Sequence, residues 1–248
     1  MIDLQLAKLR QIEWPFWIGF IFFIAVIVSC FRLWFSSVDW LKTRDSLPVE
    51  QLIVEGNQDY VEYRDVLEAL APQMQQSFFE LDVNQAQQNV ENIDWVYWVA
   101  IRKEWPNMLK VNLIEQEAEV HWNGDFLLNT LGQVFQADVS RLLKAIPALF
   151  GPEGDETKAL QAYRDLSQLL ALENLAIDEM TLTERHAIRM ILSNGIKLNL
   201  GREDWLVRIK RFIEFYPDLN EQNNVEYVDL RYDTGFSVGH KSEQTQTK

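Results

Sequence analysis

An uninterrupted apolar stretch near the N-terminus constrains this chain more than any other feature. Residues 15–31, PFWIGFIFFIAVIVSCF, carry no charge, and only Arg32 interrupts the apolar character that continues to Phe35. A membrane-spanning helix needs about 20 apolar residues at the helical rise, and an arginine near its end can extend its charged group to the lipid head groups. The sequence therefore predicts one transmembrane helix over residues 14–35.

Tryptophans flank this stretch. Trp14 and Trp17 stand at one end and Trp34 at the other, and indole side chains prefer the two membrane interfaces. We interpret these three residues as part of the membrane anchor. The stretch is not followed by the small-x-small motif of a signal-peptidase cleavage site. Residues 27–30 nevertheless resemble a lipoprotein cleavage site, so a lipidated protein beginning at Cys30 is an open alternative.

The basic residues around the helix do not decide its orientation. Lys8 and Arg10 precede it, whereas Arg32, Lys42 and Arg44 follow it. A short tail before a first span commonly stays in the cytoplasm, so residues 1–13 are expected on the cytoplasmic side and the remaining chain on the other side. Residues 36–47 are expected to be a linker, and residues 241–248 a disordered tail.

Composition excludes several classes of function. The 248 residues include 23 basic and 37 acidic side chains, a formal net charge of −14 that repels phosphate backbones. Nucleic acid is therefore not an expected partner. The single cysteine, Cys30, lies in the apolar stretch, so neither an intramolecular disulfide nor a thiolate metal cluster can form.

The sequence shows no pattern typical of a catalytic centre. His121, His186 and His240 are far apart, none has a second ligand at metal-binding spacing, and each is expected on a strand surface. Nucleophile-elbow, phosphate-loop and dinucleotide motifs are missing. We therefore expect no catalytic residue, metal, cofactor or small-molecule substrate, and predict that the protein is not an enzyme.

Residues 48–116 contain a short α+β pattern. A strand over residues 49–57 precedes a helix that we expect to stop at Pro72, and Asp82 or Asn84 can cap a second helix. Two alternating strands then flank a turn at residues 105–107. The predicted order is β-α-α-β-β.

Residues 117–240 are expected to form a β-rich domain with flanking helices. A two-residue turn after Trp122 would pair Val120 with Leu127. A three-residue turn at residues 193–195, with Gly195 left-handed, would pair Leu192 with Ile196, Met190 with Leu198 and Ile188 with Leu200. Residues 146–154 read as a loop.

The end of this domain supplies the most specific pattern. A helix after Gly201 is expected to end at Pro217. The strand over residues 225–232 would then place Val228, Leu230 and Tyr232 on one side, and residues 236–240 form a short strand at the sheet edge. The whole chain is assigned to the α+β class.

Several of these segments resemble a known family. Residues 53–57 (IVEGN), 79–82 (FELD) and 99–106 (VAIRKEWP) look like the signature positions of a POTRA domain, a module that binds polypeptides. Residues 109–118 with His121-Trp122, and above all VDLRY at 228–232, resemble the bacterial FtsQ/DivIB cell-division family, of the gammaproteobacterial type. The resemblance extends along essentially the whole chain.

The resemblance implies a function and a site. Members of this family are single-pass inner-membrane scaffolds at the division septum, with most of the chain in the periplasm. The distal domain would recruit FtsB and FtsL, and the POTRA region would contact FtsK and other division proteins, linking early and late components. Matching the motif gives a partner-binding set of Arg185, Arg231, Tyr232, Gly235, Phe236 and Val238, although His240 stands where the family pattern usually has tryptophan.

A different class also fits the POTRA pattern. POTRA modules receive unfolded outer-membrane polypeptides, so a membrane-tethered chaperone or transport accessory is the alternative to a division scaffold. That alternative predicts several tandem modules or a membrane barrel. This chain has one POTRA-like block and lacks the long alternating strands of a barrel.

Overall fold

The computed structural model describes residues 14–42, 48–221 and 224–241. The apolar stretch forms helix α1, Trp14–Lys42, in which Trp17–Ser37 is long and apolar enough to cross a membrane. The helix thus continues through residues 36–42, which the sequence assigned to a linker. The predicted tail 1–13, the linker remainder 43–47 and residues 242–248 lie outside the described residues.

The predicted anchor tryptophans belong to α1. Trp17 and Trp34 expose their side chains on the helix surface. Trp14 is the first described residue of α1, and its side chain lies outside the described part of the chain. Cys30 is also exposed on α1.

The chain divides into two compact units, the first comprising residues 1–93 and 98–114, the second residues 94–97 and 115–248. After α1, the elements begin in the predicted β-α-α-β-β order. They are β1 Gln51–Glu55, α2 Tyr63–Met74, α3 Val83–Glu91, β2 Val96–Glu104 and β3 Met108–Glu115. The sheet order is β1-β3-β2, and β1 runs parallel to β3 with Val54 opposite Val111.

Helix α2 ends later than predicted. Pro72 lies inside it, and the helix continues to Met74. A proline removes its own N–H but has a helical φ, so packing can retain the last turn. Gln73 is buried in that turn and accepts a hydrogen bond from Asn89 of α3 at 3.0 Å. Asp82 caps α3 by accepting from the backbone N–H of Asn84 at 2.8 Å, which confirms one of the two predicted caps.

The second unit is built on a long mixed sheet. Within the described residues it has nine strands in the order β12-β11-β10-β9-β8-β7-β4-β5-β6. The strands are β4 Ala118–Trp122, β5 Phe126–Asn129, β6 Val134–Phe135, β7 Ala148–Phe150, β8 Ile177–Leu182, β9 Ile188–Leu192, β10 Lys197–Gly201, β11 Val225–Asp229 and β12 Ser237–His240.

Two helices form the core of this unit with one sheet face. Helix α4, Glu156–Leu170, and helix α5, Trp205–Glu221, contribute fully buried Leu166 and Phe212. They join buried strand residues such as Met190, Leu198 and Val228 in one apolar cluster. The α+β class, with a POTRA unit followed by a β-rich region, is therefore confirmed.

The turn between β9 and β10 largely follows its predicted register. Gly195 has φ of +87°, Leu192 donates its backbone N–H to Ile196, and Met190 lies opposite Leu198. The last predicted pair is wrong, because a register shift places Gly201 rather than Leu200 opposite Ile188.

Three further predictions in this unit are wrong. Val120 pairs with Leu128, because three residues rather than two separate Trp122 from its partner Phe126. Residues 146–154 contain β7, which is held by parallel pairing with both β4 and β8. Helix α5 passes through Pro217 and continues to Glu221, because Tyr216 and Leu219 on either side of the proline are both buried.

Candidate partner-binding site

Strand β12 forms one edge of the long sheet. It pairs antiparallel with β11, with Val238 opposite Val228 and Ser237 opposite Asp229. Its other side carries no strand within the described residues. An open edge of this kind presents backbone N–H and C=O groups that a partner segment can extend. The short edge strand expected over residues 236–240 is therefore present, beginning at Ser237.

Tyr232 does not share a strand face with Val228 and Leu230 as predicted. Strand β11 ends at Asp229, and Tyr232 lies in the following bend with its side chain 56% exposed, whereas Val228 and Leu230 are fully buried. The alternation fails because the chain bends after Leu230, where Arg231 bonds back to Asp229. Tyr232 is consequently available on the surface.

Arg231 and Asp229 form an ion pair with two parallel hydrogen bonds. The arginine donates from Nε to Oδ1 at 2.9 Å and from Nη2 to Oδ2 at 2.6 Å. The hydrogen bonds from Arg231 lower the pKa of the Asp229 carboxyl in spite of its burial, so both groups are charged at neutral pH. Other N–H donors of this guanidinium face away from the pair and can reach a further acceptor.

The turn between β11 and β12 is held by an arginine of helix α5. Arg211 donates from Nη1 to the carbonyl oxygens of Tyr232 and Gly235 at 2.8 and 3.0 Å, and from Nη2 to that of Asp233 at 2.6 Å. Charge-assisted bonds to three carbonyls of this turn fix the direction in which β12 leaves it. Gly235 thus takes part through its backbone.

Phe236 and Val238 face the helix layer. The Phe236 ring lies 5.8 Å from that of Phe215 on α5, and both Phe236 and Val238 are partly buried against the apolar cluster. These two side chains support β12 from behind. A partner would therefore contact chiefly the backbone of β12.

Gly239 has a packing role on the opposite face. A Cβ at this position would lie 2.0 Å from the ring of Tyr227, which sits opposite it on β11. The tyrosine ring therefore rests directly on the backbone of β12. Any side chain at Gly239 would displace that ring.

Arg185 reaches the same end of the sheet by a different route. It is exposed in the turn that joins β8 to β9. Gly201, at the end of β10, lies opposite Ile188, and a Cβ at Gly201 would be 3.1 Å from Cγ of Arg231. The β8–β9 turn and the end of β11 thus lie at one end of the sheet, two to three strand spacings or about 10 to 15 Å apart.

The structure therefore gathers the predicted residues into one surface with two parts. We call it the β12 surface: the exposed side chains of Arg185, Arg231 and Tyr232, and the open edge of β12, Ser237–His240. Gly235, Phe236 and Val238 hold that edge in place. In a chain with a net charge of −14, this surface presents two arginines.

Sequence reasoning missed several residues that build this surface. Asp229, Arg211, Phe215 and Tyr227 were not singled out. The spacing of Asp229 two residues before Arg231 could have indicated the ion pair, since both ends are in one motif. Arg211 offered no such signal, because its acceptors are carbonyl groups more than twenty residues away.

His186 follows Arg185 and is not a strand residue as predicted. It occupies the β8–β9 turn with φ of +56°, and its Nε2 lies 3.0 Å from Oδ2 of Asp155. No group of three or more histidine, cysteine or acidic side chains close enough to hold a metal occurs among the described residues.

Comparison with known proteins identifies the family. Residues 47–116 match the family model described as POTRA domain, FtsQ-type. Residues 120–231 match the model described as cell division protein FtsQ/DivIB, C-terminal. The cell division protein FtsQ of Shewanella oneidensis is 40% identical over 241 residues, which cover 97% of this chain and 92% of that relative. The chain belongs to the FtsQ/DivIB family.

Other FtsQ proteins give the same result. That of Vibrio cholerae is 38% identical over 93% of this chain and 89% of the relative. That of Escherichia coli is 34% identical over 89% of this chain and 83% of the relative. The resemblance to gammaproteobacterial FtsQ is confirmed, and membership of the FtsQ/DivIB family gives this protein a role in the divisome.

The FtsQ/DivIB C-terminal model ends within the β12 surface. Its match stops at Arg231, so Tyr232, the turn after it and β12 lie beyond the matched residues. Contacts with Arg211, Phe215 and Tyr227 hold these last residues in place.

Proposed function

We propose that this protein is a single-pass inner-membrane scaffold of the divisome that recruits FtsB and FtsL through the β12 surface. Helix α1 anchors it with residues 1–13 in the cytoplasm and the bulk of the chain in the periplasm, at the division septum. The scaffold links early to late division proteins. Family membership and the apolar length of Trp17–Ser37 support this proposal.

One observation carries the choice of surface. The open edge of β12 is braced from behind by Phe236 on Phe215 and at its start by the three bonds from Arg211. A pre-organised edge loses little conformational entropy when a partner strand adds to it. Tyr232 and Arg231, at the start of this edge, belong to the residue types that dominate binding energy in protein interfaces.

Arginines at this end suit an acidic partner segment. Arg185 is exposed, and Arg231 keeps donors beyond those bound to Asp229. Carboxylates of a partner would find two separate guanidinium groups at one end of the sheet, one on the β8–β9 turn and one just after β11. The combination fixes both the register and the direction of an added strand.

The POTRA unit would serve other division proteins, FtsK among them. This part of the proposal is supported by the match of residues 47–116 to the FtsQ-type POTRA model. Modules of this kind bind polypeptides. Two units with different partners would let one membrane-anchored chain connect components that assemble at different times.

The double variant Arg185→Glu with Tyr232→Ala tests this proposal. Both side chains are exposed, so we expect the fold to be retained. Loss of two such contacts costs at least about 2 kcal/mol, so we expect the affinity of the detergent-solubilised full chain for purified FtsB–FtsL to fall about 30-fold or more.

The matched control is Tyr63→Ala, since Tyr63 is a comparably exposed tyrosine on helix α2 of the first unit. Its affinity for FtsB–FtsL should equal that of the parent chain. Equal affinities for the double variant and the parent would remove the β12 surface from consideration.

A further inference from the structure

The turn between β2 and β3 lies at the end of the POTRA sheet where the chain arrives from the anchor helix. The Glu50 N–H donates to the carbonyl oxygen of Asn107 at 3.0 Å, and Nδ2 of Asn107 donates to the Glu50 carboxylate at 2.7 Å. Gln51, the first residue of β1, lies opposite Met108, the first residue of β3. Trp105 in this turn is therefore beside the point of arrival.

The chain between α1 and this sheet is short. Lys42 ends α1 and Pro48 is the first described residue after it, and this separation spans at most about 20 Å in any conformation. The last five residues of α1 beyond Ser37 add roughly 8 Å. A domain of this size is itself about 28 Å across, so the end carrying Pro48 stays within about one domain diameter of the apolar span.

Two aromatic side chains are exposed at this same end. Trp105 is 79% exposed, and Phe79 is 47% exposed. Pro48 forms a β-bridge with Ser77, and Lys103 donates from Nζ to the carbonyl oxygen of Phe79 at 3.2 Å, so the Phe79 segment adjoins both the arriving chain and β2. Tryptophan is enriched in binding interfaces, and its indole ring prefers the lipid head-group region.

We propose that Trp105 and Phe79 form a second membrane contact, inserting into the head-group region of the bilayer that α1 crosses. The contact holds the first unit with its β2–β3 turn toward the membrane. It rests on the part of the proposed function that makes α1 a membrane span. It does not depend on which proteins bind the β12 surface.

The charged side chains near Trp105 and Phe79 do not give this end of the domain a net charge that would attract lipid. Arg102 lies 3.4 Å from Glu104, and Lys103 is directed to the Phe79 carbonyl and the Phe78 ring. Glu50 bonds to Asn107. Arg102, Lys103, Glu104 and Glu50 together carry no net charge, so insertion of the aromatic rings rather than attraction to anionic lipid drives the contact, and the contact should persist at high salt.

Spin labels on the full-length chain test the proposal. The chain carries Cys30→Ser and is placed in nanodiscs of phosphatidylethanolamine and phosphatidylglycerol, with Trp105→Cys labelled. We expect the label to collide more with oxygen, which concentrates in lipid, than with a water-soluble nickel chelate. Trp98→Cys is the matched control, because Trp98 is exposed near the opposite end of β2; its label should show the reverse order.

Further probes separate the ways in which the test can fail. A label at Phe79→Cys should behave like that at position 105 and guards against a local effect of replacing the tryptophan. A label on native Cys30 reports whether α1 itself is in lipid, independently of the second contact. Nickel accessibility at position 105 equal to that at 98, or shielding from both reagents as in a protein interface, would overturn the proposal.

Discussion

Ending the chain after Gly235 is expected to abolish capture of FtsB–FtsL. This truncation removes β12, the proposed docking strand, together with the packing of Phe236 on Phe215. A partner strand along four residues makes three or four backbone hydrogen bonds, each worth about 1 kcal/mol net, so affinity should fall more than about 100-fold. Titration of the detergent-solubilised full-length and truncated chains with purified FtsB–FtsL measures the loss.

A second truncation provides the control. Ending the chain after Lys241 retains β12 and removes only residues 242–248. Its affinity should match that of the intact chain. Retained binding after loss of β12 would show that the partner docks elsewhere, and equal losses in both truncations would move the site to the last seven residues.

Replacing Gly56 by alanine is expected to destabilise the POTRA unit strongly. Gly56 has φ of +124°, and a Cβ would lie 2.1 Å from the carbonyl oxygen of Leu113. The backbone strain and the clash with an ordered strand together cost about 3 kcal/mol or more. Hydrogen exchange of the β1 and β3 amides in the full chain should then accelerate at least about 100-fold.

The variant Gly124→Ala separates the cost of backbone strain from the cost of the steric clash. Gly124 also has positive φ, at +88°, but nothing lies within 4 Å of an added Cβ, so the cost there should be only about 1 kcal/mol. We further expect Gly56→Ala to leave capture of FtsB–FtsL unchanged, because the β12 surface belongs to the second unit. Loss of that capture would contradict the assignment of the two units to different partners.

Local patterns predicted much of the fold. The alternation and turn signals of residues 48–116 gave the correct order of elements, because β3 buries one face along its length and the second helix begins at a recognisable cap, Asp82. The β9–β10 turn followed from Gly195, since only one loop length places Met190 beside Leu198. In both cases the deciding residues are close in sequence.

Features that depend on distant contacts were not predictable in this way. Pro72 and Pro217 look like helix ends, yet burial of Gln73 and Leu219 beyond them stabilises a further turn. Strand β7 has only three residues and exists because β4 and β8 bracket it.

The same distinction between local patterns and distant contacts applies to the candidate site. The motif residues Arg231 and Tyr232 could be singled out from the sequence, and the edge strand that follows them was expected. The exposure of Tyr232 and the bracing of its turn by Arg211 could not be, because they depend on where helix α5 packs.

Photo-crosslinking in living cells tests the central claim most directly. A photoreactive amino acid is placed at Ser237, an exposed residue of β12, or at Val134, an exposed residue of β6 at the opposite edge of the same sheet. We predict a covalent adduct with FtsB or FtsL from position 237 and none from position 134. An adduct from position 134 without one from position 237 would contradict the assignment of β12 as the docking edge.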